Sequence, residues 1–223
     1  SAWARLLDRL AYQYGILFVV SAGNVGDSFV VEQFANRVAF EDADAQTRFI
    51  GVLSAVNSLM GQRRIIAPAE SINAITVGGC NEDAVSPLLR MTARASVDPY
   101  SDMRISNPSS SLGPGYGAAV KPDILMPGSR ERLIVVRSDG QLVEVRPAPP
   151  THAAGLKVAA PPRAGQESSE SYTNGTSASA ALASRTCHRI HDALEKAYGD
   201  AFLRLSHRER AVLLKALIAH TAE

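Results

Sequence analysis

Apolar positions fall in blocks whose spacing changes along the chain. From Ser1 to Tyr14, residues Trp3, Leu6, Leu7, Leu10 and Ala11 recur at helical spacing until Gly15 breaks the pattern. Ile16-Leu17-Phe18-Val19-Val20 follows as one apolar run and ends in Ser21-Ala22-Gly23-Asn24. An uninterrupted run of that kind predicts a strand buried on both faces, as in a parallel sheet. Residues 25–43 are mixed and predict no element. Phe49, Ile50, Leu53, Val56 and Met60 then predict a helix over 44–60, with Asp42 or Asp44 as cap and Gly61 as stop.

Ala74-Ile75-Thr76-Val77 is a second buried strand, closed by Gly78-Gly79, and residues 88–95 read as a further strand. A Pro/Gly/Ser loop spans 106–117. Asp123-Ile124-Leu125-Met126 gives a third core strand, ended by Pro127-Gly128. Leu133–Val136 and Leu142–Val145 flank Ser138-Asp139-Gly140, a hairpin signal because Asp-Gly suits the turn that twisted strands require. The Pro-rich stretch 147–171 reads as a surface excursion. A long small-residue helix runs from Gly175 to Tyr198, and a last one from 206 to 221 is capped by Ser206. Strands alternating with helices predict an α/β layered fold around a parallel sheet.

Composition narrows the function classes. The chain has 223 residues, with 23 Lys+Arg against 22 Asp+Glu and a net charge of +1, which gives no electrostatic reason for a nucleic-acid or anionic-membrane partner. No apolar stretch reaches the roughly 18–20 residues of a spanning helix. Two cysteines, Cys80 and Cys187, make neither a disulfide framework nor a four-cysteine zinc site, and they read as buried thiols of a reducing compartment, although two can pair. The sequence opens within an amphipathic helix, without an initiator methionine or a leader pattern, and reads as a piece of a longer protein.

Two places carry candidate chemistry. Asn24 ends a buried strand, where open α/β sheets bind ligands. Asn174-Gly175-Thr176-Ser177 opens a helix, where unpaired N–H groups and the positive end of the dipole suit a developing oxyanion. Taken singly, Gly23-Asn24 is a common turn pair and Thr176-Ser177 an ordinary helix cap.

Their order along the chain adds weight. Val19-Val20-Ser21-Ala22-Gly23-Asn24 precedes Asn73-Ala74-Ile75-Thr76-Val77-Gly78, then Ser110-Ser111-Leu112-Gly113-Pro114. Lys121-Pro122-Asp123-Ile124-Leu125-Met126-Pro127-Gly128 and Asn174-Gly175-Thr176-Ser177-Ala178-Ser179 complete the series. This ordered set resembles the subtilase family of serine proteases, in the carboxyl-terminal half of the catalytic domain. The resemblance spans residues 1–223 outside about 25–70 and 129–170, which read as insertions; of these, the 132–146 hairpin and the Pro-rich 147–171 segment are expected on the surface and outside the central sheet. It implies a subtilisin-like three-layer αβα fold with a mostly parallel sheet, incomplete at the amino-terminal side, plus an inserted β-hairpin.

By the same resemblance Ser177 matches the nucleophile and Asn24 the oxyanion-hole asparagine. Ala22 and Gly23 match one wall of the pocket for the residue before the scissile bond. The implied activity is that of a serine endopeptidase acting on peptide or protein substrates through an acyl-enzyme, with no cofactor. After the serine, Ala178-Ser179-Ala180-Ala181-Leu182-Ala183 departs from the common Met-Ala-Ser-Pro-His run. It is similar instead to a divergent bacterial branch, often large intracellular proteins and some encoded beside an AAA-type ATPase. That analogy implies a cytoplasmic location and such an ATPase as a partner.

Absences matter equally. The family's Asp-Ser/Thr-Gly and His-Gly-Thr motifs are missing: Asp27-Ser28 is followed by Phe29, and none of His152, His188, His191, His207 or His220 precedes a glycine. His188 lies eleven residues beyond Ser177, about 16 Å along a helix and too far for proton transfer. The catalytic Asp and His are therefore expected in an upstream segment of the same protein. The alternative is a non-catalytic subtilase-like scaffold or interaction module. A phosphate-binding reading of Gly113-Pro114-Gly115-Tyr116-Gly117 fails because no Gly-Lys-Ser/Thr follows. No spacing fits zinc, and no acidic run marks a calcium site.

Overall fold

The computed structural model describes residues 1–83, 96–139, 142–151, 154–162, 164–165, 167–220 and 222. In chain order the elements are α1 (Ala2–Tyr14), β1 (Val19–Ser21), β2 (Phe29–Val31), α2 (Arg37–Glu41), α3 (Ala45–Ser58) and β3 (Ile75–Cys80). Next come β4 (Gly113–Pro114), β5 (Val120–Lys121), β6 (Ile124–Pro127), β7 (Leu133–Ser138), β8 (Val143–Pro147), β9 (Leu156–Ala160) and β10 (Ser169–Thr173). Three helices close the chain: α4 (Thr176–Tyr198), α5 (Asp200–Leu203) and α6 (His207–His220). The strand expected over 88–95, the Asp139-Gly140 turn as a unit, and His152 lie outside the described residues.

The central sheet is parallel, as the apolar runs predict, in the order β1-β3-β6, with Val19 opposite Ile75 and Val77 opposite Ile124. All six residues of β3 are buried. Burial on both faces does not hold for β1, which starts three residues later than its apolar run and is only half-buried. The reason is position: β1 has β3 on one side and, among the described strands, nothing on the other.

Helices α4 and α6 cover one face of the sheet, where Ile75, Val77 and Ile124 meet Ala183, Cys187 and Ile218. Ser179 and Ala183 are fully buried, so the small-residue face of α4 is what lets the helix lie close to the strands. Helix α1 is pinned to the start of β3 through Asp8, whose carboxylate accepts from the Ser71 hydroxyl at 2.6 Å and the Asn73 N–H at 2.7 Å. Its left-handed end at Gly15 (φ 65°) also brings the backbone against α6, where a Cβ would stand 2.5 Å from the Arg208 nitrogen. Ser206 caps α6 as expected, in a reciprocal box with Glu209.

A second core corrects the expectation that the 132–146 hairpin lies on the surface. Strands β7 and β8 pair antiparallel, and β2 adds to β8, giving the order β2-β8-β7. Phe29, Val31, Leu133, Val143 and Val145 point from this sheet onto Phe40, Val52 and Val56 of α2 and α3. Leu133, Val143 and Val145 are wholly buried, so the hairpin is outside the central sheet but not a surface ornament. The signal was available in its alternation of apolar and polar residues, yet its partner lies more than 110 residues earlier. Within 147–171, β9 and β10 form an antiparallel pair that the Pro-rich composition concealed. Helix α3 is capped by Asp44, not Asp42, through the Thr47 N–H at 2.9 Å, and it ends at Ser58 before Gly61.

Both cysteines are free and buried. Burial pushes the Cys80 thiol up to about 11 and raises that of Cys187 as well.

Candidate active site

The site is built where the carboxyl ends of β1, β3 and β6 meet the amino end of α4. Two glycines make that approach possible. A Cβ on Gly128 would stand 2.8 Å from the Gly79 Cα and 3.1 Å from the Ser179 hydroxyl oxygen, so β6 and β3 are joined backbone to backbone beneath the helix. The Gly175 N–H donates to the Gly128 carbonyl at 2.9 Å, and the Ser179 hydroxyl donates to the Pro127 carbonyl at 3.1 Å. These bonds fix the first turn of α4 on the end of β6.

Asn24 is tied to the same turn. Its side-chain carbonyl accepts from the Thr176 N–H at 2.9 Å, and the Thr176 hydroxyl accepts from the Gly23 N–H at 3.2 Å. The asparagine amide lies over Gly175, where a Cβ would meet Oδ1 at 2.7 Å and Nδ2 at 3.2 Å. Gly175 has φ 91° and ψ 176°, a conformation essentially confined to glycine. With Oδ1 committed to Thr176, the Nδ2 donors of Asn24 remain available to a ligand.

Ser177 is the second residue of α4 and exposed. Neither its hydroxyl nor its N–H has a hydrogen-bond partner among the described residues. First-turn N–H groups are ordinarily unpaired, and the dipole of this 23-residue helix places partial positive charge there. Sequence positions 24 and 177 thus meet at one end of one helix, with unpaired donors from both.

The strand bearing Asn24 is flanked on two sides. The Ile66 N–H donates to the Ala22 carbonyl at 3.0 Å, and the Ile66 side chain covers Gly23, within 2.7 Å of where a Cβ would stand. On the other side, the Ser111 N–H donates to the Gly23 carbonyl at 3.0 Å and the Val25 N–H to the Ser109 carbonyl at 2.7 Å. Ala22 is fully buried, so of the expected pocket wall Gly23, beneath Ile66, is the part that approaches the surface.

Sequence reasoning missed Ile66 and Ser109 as parts of the site, and read Gly175 and Thr176 only as the opening of the helix. Ile66, Ser109 and Gly175 act through a backbone group or a close approach and Thr176 also through its hydroxyl, contacts between distant segments that no local pattern records.

No described residue is placed to take the Ser177 proton. His188 and His191 lie further down α4, and His191 packs edge-on against Phe202 at 5.1 Å. His207 and His220 are the first and last residues of α6. Among the described residues no group of three His, Cys, Asp or Glu side chains could hold a metal ion, and no helix is long and apolar enough to cross a membrane.

The family model described as the subtilase family, peptidase S8, matches residues 1–223. An uncharacterized protein, y4bN, of Sinorhizobium fredii (strain NBRC 101917 / NGR234) is 30% identical over 124 residues, which is 55% of this chain and 25% of that relative. The match therefore spans a quarter of the relative's length. No solved structure matches. With its motifs in the family's order and the family match running from the first residue to the last, the chain belongs to the subtilase family.

Proposed function

We propose that the chain supplies the nucleophile and the oxyanion hole of a serine endopeptidase, the activity type of its family. Ser177 Oγ attacks a peptide carbonyl while its proton passes to a histidine outside this chain, which an aspartate, also outside it, orients. The carbonyl oxygen becomes an oxyanion held between Asn24 Nδ2 and the Ser177 N–H. Collapse expels the amine, which takes the proton from the imidazolium and leaves an acyl-Ser177. Water, activated by the same histidine, then releases the acid. The observation that carries this reading is the bond between the Asn24 carbonyl and the Thr176 N–H, which commits the amide oxygen and holds the Asn24 side chain against the start of the Ser177 helix.

The side of β1 that has no partner among the described strands gives an upstream segment of the same protein a place to add a strand, since unpaired backbone groups on a strand edge favour such pairing. An AAA-type ATPase remains a partner proposed by family analogy alone, as does a bacterial cytoplasmic location.

A second reading, a non-catalytic scaffold, is favoured by one observation: Ser177 has no base beside it among the described residues. One experiment separates the two. The 223-residue chain alone and the intact protein are each treated with a fluorophosphonate probe and with casein. Labelling at Ser177 and cleavage by the intact protein only, and not by its Ser177→Ala variant, is the result expected of the endopeptidase. An intact protein with neither activity is a scaffold.

A further inference from the structure

Behind the strand that carries Asn24 lies a carboxylate that the proposed chemistry does not use. Glu131 is 2% exposed, and its Oε2 accepts from both the Ser109 N–H, at 3.0 Å, and the Ser109 hydroxyl, at 2.7 Å. Its own N–H donates to the Asn81 side chain at 3.3 Å, which fixes where the carboxylate begins. Ser109 in turn accepts the Val25 N–H at 2.7 Å, Asn24 forms an antiparallel bridge with Ser110, and the Ser111 N–H holds the Gly23 carbonyl at 3.0 Å. The triplet 109–111 is thus the neighbour that sets the position of residues 23–25, and Glu131 grips its first member by backbone and side chain together. We infer that Glu131 is a positioning residue for Asn24, acting through Ser109 to fix the strand that bears the oxyanion donor. The inference rests on the reading of Asn24 given above.

The grip is charge-dependent. An ionised carboxylate accepts the two Ser109 bonds more strongly than a neutral acid does. Burial pushes Glu131 up to about 7, against the pull of the Ser109 bonds and of the Arg63 guanidinium. Arg63 is itself buried, with Tyr100 and Asp27 in its electrostatic surroundings, and Tyr100 also faces Glu131. Glu131 Oε1 and Arg63 Nε and Nη2 make no hydrogen bond among the described residues. Arg63 therefore acts on the carboxylate only through space, as the weakest of these influences, and leaves Ser109 as its direct side-chain partner. Loss of the charge loosens Ser109, and with it the strand of Asn24.

The test reads Asn24 directly and needs no catalysis. The full 223-residue chain is labelled with ¹⁵N-asparagine, and the side-chain NH₂ signals are followed across the neutral pH range, with Asn57 on α3 as an internal control. Expected is a titration of the Asn24 signals with a midpoint near 7 that Asn57 does not share, that vanishes in Glu131→Gln, and that shrinks in Ser109→Ala. Glu131→Gln keeps the size and an acceptor for Ser109, so folding and titration are separated. Asn24 signals that ignore pH in the native chain, or that titrate unchanged in Glu131→Gln, would overturn the inference. That result leaves the endopeptidase reading intact, whereas an inactive intact protein defeats that reading without altering the link between Glu131 and Asn24.

Discussion

The Asn24 side chain accepts a hydrogen bond from the Thr176 N–H at 2.9 Å, across 152 residues of sequence. The oxygen of this amide caps the helix that carries Ser177, and on the proposed reading its nitrogen is the donor to the oxyanion. The two roles are separable by substitution. Asn24→Asp keeps an acceptor for Thr176 and adds negative charge at a helix amino terminus, which is stabilising by about 0.3–1 kcal/mol. It removes the donor, however. The expected outcome is a fold at least as stable in thermal melts, while kcat of the intact enzyme falls by about 10²–10³ with KM nearly unchanged. That magnitude is borrowed from removal of one such donor in subtilisin, a member of this family. Asn24→Leu loses both roles, so stability and turnover fall together.

Gly175 is the hinge of the same arrangement. Gly175→Ala must hold φ 91° with a Cβ 2.7 Å from Asn24 Oδ1. A cost of about 1–3 kcal/mol in unfolding free energy is expected from the backbone strain. A denaturant midpoint equal to that of the native chain would contradict the close approach.

Ile66 should control what fits beside the serine. Its side chain covers Gly23, the residue before Asn24, and it is half exposed. Ile66→Ala is expected to raise kcat/KM of the intact enzyme for peptides with a bulky residue before the scissile bond, relative to those with alanine there. Profiling of cleaved peptides in a mixed library reads this ratio, and an unchanged ratio removes Ile66 from the substrate pocket.

Stability should depend on pH through Glu131. Its folded value of about 7 lies above its ordinary 4.5, so between these values the folded state binds more protons than the unfolded one. The stabilisation is fully present below the unfolded value and is lost as pH rises toward 7, with a slope of at most about 1.4 kcal/mol per pH unit. Urea midpoints measured through this window should fall with rising pH in the native chain and flatten in Glu131→Gln.

Leu133 tests the second core. Leu133, on β7, is fully buried in the core shared by the β2-β8-β7 sheet, α2 and α3, and its truncation to alanine is expected to cost about 2–5 kcal/mol. Deletion of 131–168 removes β7 and β8 and should unfold the chain, whereas shortening the β9–β10 pair, none of whose residues is buried, should not. Circular dichroism of the two deletions distinguishes these outcomes.

Local chemistry along the chain determined the four long helices α1, α3, α4 and α6 and the three core strands, whereas the short α2, inside the stretch 25–43 that predicts no element, and α5 were not legible. Apolar spacing reports which way a segment faces, and Ser206 and Asp44 mark helix starts through bonds made within three residues. The ordered motifs made the family legible as well. Tertiary structure alone decided the rest. That β2 joins β8, that Ile66 covers Gly23, and that Glu131 grips Ser109 each depend on groups 22 to 116 residues apart, brought together by a backbone path that no local pattern encodes. The same holds for half-burial of β1, since its apolar run states a preference for burial but only the surrounding strands and helices can supply it.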